Sequence, residues 1–218
     1  MAPPLALAVL VSGEGTTLDG LAEAIAGGHL PARIGLVVAD RPYAPAIERA
    51  RRRGLPTAVL PFRGAPPASW SERLSALLRE RATELVLLAG FLAILPPEFL
   101  RDWSGRVVNL HPALLPRYGG PGMYGRHVHE AVLRSGDGET GVTVHLVTDA
   151  VDSGPVLWQE RTAVEPGDTP EVLRERLRPL ELRALSEVIR RFADGSWTLP
   201  YTSAGTPDEA RSEEGAPR

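Results

Sequence analysis

LALAVLVSGEGTTLDGLAEAIAGG, residues 5–28, is the stretch that decides the fold. Residues 5–11 are apolar without alternation, the pattern of a parallel strand covered on both faces. Two glycines follow in SGEGTT. After them Leu18, Leu21, Ala22 and Ile25 fall at helical spacing until Gly27 and Gly28 end the run. A buried strand, a glycine turn and a helix make the opening of a βαβ unit. The same alternation continues outward. RIGLVVAD (33–40) reads as a strand and PAIERARRRG (45–54) as a helix ending at glycine. PTAVLPF (56–62) reads as a third strand and SWSERLSALLRERA (69–82) as another helix. ELVLLAG (84–90) and GRVVNL (105–110) are two further buried strands. Strands alternating with helices predict an open, mostly parallel, Rossmann-like α/β sheet with helices on both faces.

The second half has a different texture. GGPGMYG (119–125) is a glycine-rich loop, and RHVHEAVLRSGD reads as a short helix. GVTVHLVTDAVDSGPVLWQERTAV reads as two strands joined by an acidic loop at 148–154. Thr169-Pro170 opens a long helix, with threonine at the cap and proline at the first helical position. It runs to about Phe192, and Pro179 is expected to kink it. Residues 203–218 are small, polar and charged, and read as a disordered tail. No internal repeat or linker divides the rest, so residues 1–202 are expected to form one domain. An amino-terminal half (about 1–104) and a second half (about 105–202) are its natural parts.

Composition narrows the function classes. The 218 residues carry a net charge of −3 with no basic block, which argues against nucleic acid as a partner. The absence of cysteine removes disulfides, thiolate metal sites and a thiol nucleophile. The apolar amino-terminal run is too short to span a membrane and lacks a basic leader. A cytoplasmic protein without membrane contact is expected, either a monomer or a homodimer.

In open α/β sheets ligands bind beyond the carboxyl ends of the strands. Three segments fall there. In the first, Gly13, Gly15, Thr16 and Thr17 lie in a glycine turn that opens a helix. Its free N–H groups and the positive end of the helix dipole suit one phosphate. An ordinary tight turn, with Thr16 capping the helix and Asp19 closing a capping box, accounts for the same residues. The second segment, Gly90–Leu95, is apolar and suits either the wall of a flat pocket or simple core. The third is NLHP, where Asn109 and His111 share a face at the end of a strand. Asp149 and Asp152 lie in the 148–154 loop. A turn-forming role for Asp152 competes with a role beside an imidazole. An amide, an imidazole and a carboxylate meeting at one strand edge would support acyl or formyl transfer without a covalent nucleophile. Four of the five histidines (111, 127, 129 and 145) cluster in the second half, yet none has the spacing of a metal-binding motif. No metal is expected.

Taken together, SGEGTTL, LAGFLAILPPEF, VVNLHPALLPRY, GVTVHLVTDAVDSGPV and FADGSW resemble the glycinamide ribonucleotide formyltransferase family over roughly residues 5–198. The resemblance implies formyl transfer from 10-formyltetrahydrofolate, as co-substrate, to the amine of glycinamide ribonucleotide in purine synthesis. It implies Asn109, His111 and Asp152 as the catalytic three, with Asp152 keeping His111 charged. Gly13, Gly15, Thr16, Thr17, Arg178 and Glu181 would hold phosphate and ribose. Leu92, Ala93, Ile94, Leu95, Asn109, Thr148, Asp149 and Asp152 would bound the folate. The sequence departs from the family's usual pattern at three places: Thr16-Thr17 replace serine-asparagine, Ala93 replaces a common arginine, and Leu182 replaces a histidine. The 119–125 loop is longer than the commonest version and is expected to close over bound substrate. Two other readings share these residues. One is a hydrolase of 10-formyltetrahydrofolate, or a transferase using another amine. The other is a folate- or nucleotide-binding protein without turnover.

Overall fold

The computed structural model describes residues 3–196; the expected tail and Trp197 of the FADGSW motif lie outside them. Strands β1 (Leu5–Val11), β2 (Ala32–Ala39), β3 (Thr57–Val59), β4 (Leu85–Leu88), β5 (Val107–His111), β6 (Glu139–Leu146) and β7 (Val156–Ala163) form one sheet. Helices α1 (Thr16–Ala26), α2 (Pro45–Arg52), α3 (Pro67–Glu80), α4 (Pro97–Asp102), α5 (Arg126–Ser135) and α6 (Pro170–Ala193) flank it. The strand order is β3-β2-β1-β4-β5-β6-β7. The first five strands are parallel, and β6 and β7 add antiparallel to the β5 edge. Because β2 and β4 flank β1, the chain reverses its direction of travel there, and a crevice opens above the ends of β1 and β4.

Alternate residues of β1 feed two cores. Leu5, Leu7, Val9 and Val11 pack with α1, α2, α5 and α6, whereas Ala8 and Leu10 pack with α3 and α4. Every residue of β1 is buried, which explains the unbroken apolar run. On the second face Phe62, Trp70, Phe91, Phe99 and Trp103 form a chain of ring contacts, with centroid separations from 4.9 to 6.4 Å. Such pairs add about 0.5–1.5 kcal/mol each beyond burial. The indole N–H groups of Trp70 and Trp103 donate to the Leu60 carbonyl and to Ser75 Oγ.

Several expectations change. Helix α3 starts at Pro67 rather than residue 69, since proline at the first helical position needs no N–H partner. Strand β4 ends at Leu88, and β3 is only three residues long. The short helix α4, built from PEFLRD and opened by Pro96-Pro97, was not read from the sequence, where these residues looked like a pocket wall or core. Helix α6 runs through Pro179 as a single element, with the proline on its exposed side.

Candidate active site

A cavity of about 710 Å³ occupies the crevice at the strand ends. It is lined by the turn after β1, the segment after β4, the end of β5, the 120–126 loop, the 147–152 loop and one face of α6. Every site residue expected from the sequence lies on its wall, from Gly13 to Glu181.

The phosphate turn differs from the capping-box alternative. Gly15 is the N-cap, in the left-handed region at φ 75°, and no side chain caps α1. A Cβ there would also come within 2.6 Å of Ala46 Cβ, so conformation and packing both require glycine. Asp19 is engaged by Arg49 at 2.8 Å and Arg53 at 2.7 Å, which removes it from any capping box. Thr16 is therefore not consumed as a cap. Thr17 is committed elsewhere: its hydroxyl donates to Glu181 Oε2 at 3.0 Å. Glu14 lies 3.8 Å from Arg49, a cation that offsets its charge near the turn.

Arg178 and Glu181 do not form the surface pair that their spacing allowed. Arg178 Nη1 reaches Glu175 at 2.9 Å, while its buried Nε has no partner among the described residues. Burial raises the Glu181 carboxyl above its ordinary range, against the Thr17 hydrogen bond and the charges of Arg174 and Arg178. A side recess of about 180 Å³ continues behind these residues, lined by Gly20 and Leu182 among others.

The residues expected to bound the folate also line the cavity. Ile94 is 66% exposed and Leu92 half-exposed, whereas Leu95 is buried. The Leu92 N–H donates to Ser12 Oγ at 2.8 Å, which ties this segment to the end of β1. This leaves the Leu92 carbonyl, but not its N–H, to read a ligand edge. Thr148 donates its hydroxyl to the Ala150 carbonyl, and Asp149 is exposed at the cavity mouth.

The Asn109, His111 and Asp152 side chains converge. Asp152 accepts the Gly120 N–H at 3.0 Å and the Asn109 amide at 3.4 Å, and lies 3.7 Å from His111 Nδ1. Its φ of 53° lies in the left-handed region, which aspartate tolerates better than most residues. A Cβ on Gly119 would lie 2.5 Å from Leu115 Cδ2 and 3.0 Å from Asp152 Cβ, so the loop start is bare for this approach. His111 is 3% exposed, and its Nε2 donates to the Tyr118 carbonyl at 2.7 Å. Burial lowers its pKa below the ordinary imidazole value, more than the Asp152 charge and the Tyr118 carbonyl raise it. Burial therefore works against the Asp152 charge at His111. Asp152 is itself held below the ordinary carboxylate range. Burial works to raise it, but is outweighed by His145, His111 and the Gly120 N–H.

One member of this cluster was not assigned from the sequence. His145 on β6 is the register partner of Asn109 on β5, and opposed residues share a face. Its Nδ1 donates to the Leu146 carbonyl at 2.9 Å, and its Nε2 lies 3.1 Å from the Asn109 amide nitrogen. His145 Nε2 also lies 3.5 Å from Asp152. No local pattern in GVTVHLV marks this residue. Only the antiparallel register of β5 with β6 does.

Comparison with known proteins identifies the family of the chain. The formyl transferase family model matches residues 5–189. The chain belongs to the formyl transferase family. The phosphoribosylglycinamide formyltransferase of Haemophilus influenzae is 32% identical over 210 residues, covering 96% of this chain and 97% of that protein. The trifunctional purine biosynthetic protein adenosine-3 of Gallus gallus is 36% identical over 191 residues, and this chain spans only 18% of its length. Among solved structures, the phosphoribosylglycinamide formyltransferase of Coxiella burnetii superposes with a TM-score of 0.81 at 38% identity, covering 88% of each chain. A formyltetrahydrofolate deformylase from Burkholderia mallei superposes with a TM-score of 0.76 at 26% identity. That match covers 88% of this chain and 66% of the deformylase. In this family member the Asn-His pair ends β5 at the floor of the cavity. No group of three or more His, Asp or Glu side chains is arranged to hold a metal ion among the described residues.

Proposed function

We propose that this chain transfers the formyl group of 10-formyltetrahydrofolate to the primary amine of glycinamide ribonucleotide, in the cytoplasm and without a metal. Residues 1–202 would act as one formyltransferase domain. The observation that carries the reading is the meeting of Asn109, His111 and Asp152 in a cavity that also contains the Gly13–Thr17 turn. In this reading the nucleotide phosphate lies on the N–H groups opening α1 and on Arg178, and the ribose on Glu181. The folate lies between residues 92–95 and the 148–152 loop.

The substrate amine attacks the formyl carbon, a new C–N bond forms, and the carbonyl electrons move onto oxygen. Asn109 and His111 stabilise that oxygen. The long 3.4 Å contact of the Asn109 amide to Asp152 is the one most readily exchanged for it. A neutral His111 adds little to ground-state binding. It gains charge only as the oxygen does, which favours the transition state over the bound substrate. The bond from the formyl carbon to folate N10 then breaks. The proton that the nitrogen loses after attack passes through Asp152 and His111 to N10, so the sum is one formyl group and one proton exchanged. Thr17, where the family usually has asparagine, is held by Glu181, so the phosphate depends on the backbone turn and on Thr16.

The test is release of the formyl group from 10-formyltetrahydrofolate, with and without glycinamide ribonucleotide and with His111→Ala as control. Turnover that requires both the nucleotide amine and His111 supports the transferase. Equal deformylation without the amine makes the chain a hydrolase, the activity named for the Burkholderia mallei relative. No turnover under either condition points to another acceptor or to a binding protein.

A further inference from the structure

His129 is a buried polar group that the mechanism leaves unused. It sits on α5 beside the core residues Val128 and Val132, is 3% exposed, and lines the cavity. Its Nδ1 has no hydrogen-bond partner among the described residues. Buried polar side chains that only support a fold are nearly always hydrogen-bonded, and an exception calls for an absent partner. A leucine would fill the same place without the desolvation penalty.

The charged and titratable groups facing His129 locate it within the cavity. They are Arg174 and Glu171 on the first turns of α6, and His111 at the end of β5. Helix α6 also carries Arg178 and Glu181. His129, His111, Arg174, Arg178 and Glu181 all line the one cavity, so the ring borders the space shared by the reacting centre and the phosphate-ribose side. We propose that His129 hydrogen-bonds the glycinamide arm of the acceptor, the amide linking its ribose to the reactive amine, and so sets the acceptor's reach to the formyl carbon. This rests on the acceptor assigned above. A neutral imidazole donates at one nitrogen and accepts at the other, matching an amide's carbonyl and N–H. Burial, then the Arg174 charge, lowers its pKa to about 4, so the ring keeps both capacities at neutral pH.

The test compares the parent enzyme with His129→Leu and His129→Gln, varying each substrate while the other saturates. His129→Leu is expected to lower kcat/KM for glycinamide ribonucleotide about tenfold or more, with the KM for 10-formyltetrahydrofolate unchanged and Tm equal or higher. His129→Gln, which keeps a donor and an acceptor, should recover most of the loss. As a check that needs no variant, the nitrogen signals of His129 in ¹⁵N-histidine-labelled protein should shift when glycinamide ribonucleotide is added alone, and not when folate is. Unchanged acceptor kinetics in a folded His129→Leu variant overturn the proposal. So does an equal effect on both substrates, or a His129 signal blind to the nucleotide. If the parent enzyme itself fails to formylate glycinamide ribonucleotide, the acceptor assignment fails first and this inference falls with it. The parent assay thus separates the two failures.

Discussion

Replacing Gly154 with alanine should disable the site from outside it. Gly154 lies two residues after Asp152, where the loop leaving β6 turns back into β7. A Cβ built there falls 1.9 Å from the Leu146 carbonyl oxygen and 2.9 Å from its carbon, with Thr148 Cγ2 at 3.2 Å. Real Cβ atoms essentially never approach closer than 3.0 Å, so the loop must withdraw from Leu146 by more than 1 Å. The obstruction is backbone, and the Leu146 N–H to Pro155 carbonyl bond at 2.9 Å holds the two segments together. The Asp152 contacts to Asn109 and His111, at 3.4 and 3.7 Å, already sit at the edge of reach and would be lost. A misplacement of about 1 Å near a reacting centre lowers rates on the order of 10²-fold. The global effect should be about 1–3 kcal/mol, as for other forced insertions. The assay is kcat with both substrates saturating, beside a thermal melt. The neighbouring control Ser153→Ala, whose hydroxyl reaches only the exposed Val151 carbonyl, should leave kcat near that of the parent. A folded Gly154→Ala enzyme with parental kcat would refute the claim that the loop's approach to β6 places Asp152.

Two further outcomes follow from the electrostatics. Asp152→Asn should lower kcat by about 10²–10⁴-fold with the fold retained, because a general acid–base partner is removed. It should also move the acid limb of kcat/KM, already below the ordinary imidazole value of 6.5, to still lower pH, since the Asp152 charge is what raises His111. Retention of near-parental turnover would remove Asp152 from the mechanism. Glu181 has a native pKa above its unfolded value of 4.5, so the folded state binds more protons than the unfolded one between those two values. Stability is therefore lost as pH rises through that window. Glu181→Gln should abolish this loss, raise Tm at neutral pH relative to the parent, and weaken acceptor binding. Parallel Tm–pH curves for the two proteins would show that Glu181 is not the group responsible.

The sequence by itself determined the first five strands, because each is a local run of apolar residues and needs no partner to be read. It also determined the glycine turn at Gly15, and the placing of Asn109 and His111 on one face, since strand periodicity is local. The boundaries shifted by a few residues where proline chemistry competed with hydrophobic pattern, as at α3. The family's motifs placed Asp152 beside the Asn-His pair across 40 intervening residues, something that no periodicity could supply.

Tertiary structure decided the rest. His145 joins the site only because β6 runs antiparallel to β5 in the register that sets it opposite Asn109. Thr17 is held by Glu181, 164 residues away, and Arg178 turns to Glu175 instead of Glu181. The charge state of His111 also had to wait for the fold. Sequence shows an imidazole near a carboxylate, which argues for a raised pKa. Burial depends on everything packed around the ring, and here it outweighs the carboxylate. Patterns of period two or 3.6 are written along the chain, whereas desolvation and cross-strand contact exist only once distant segments meet.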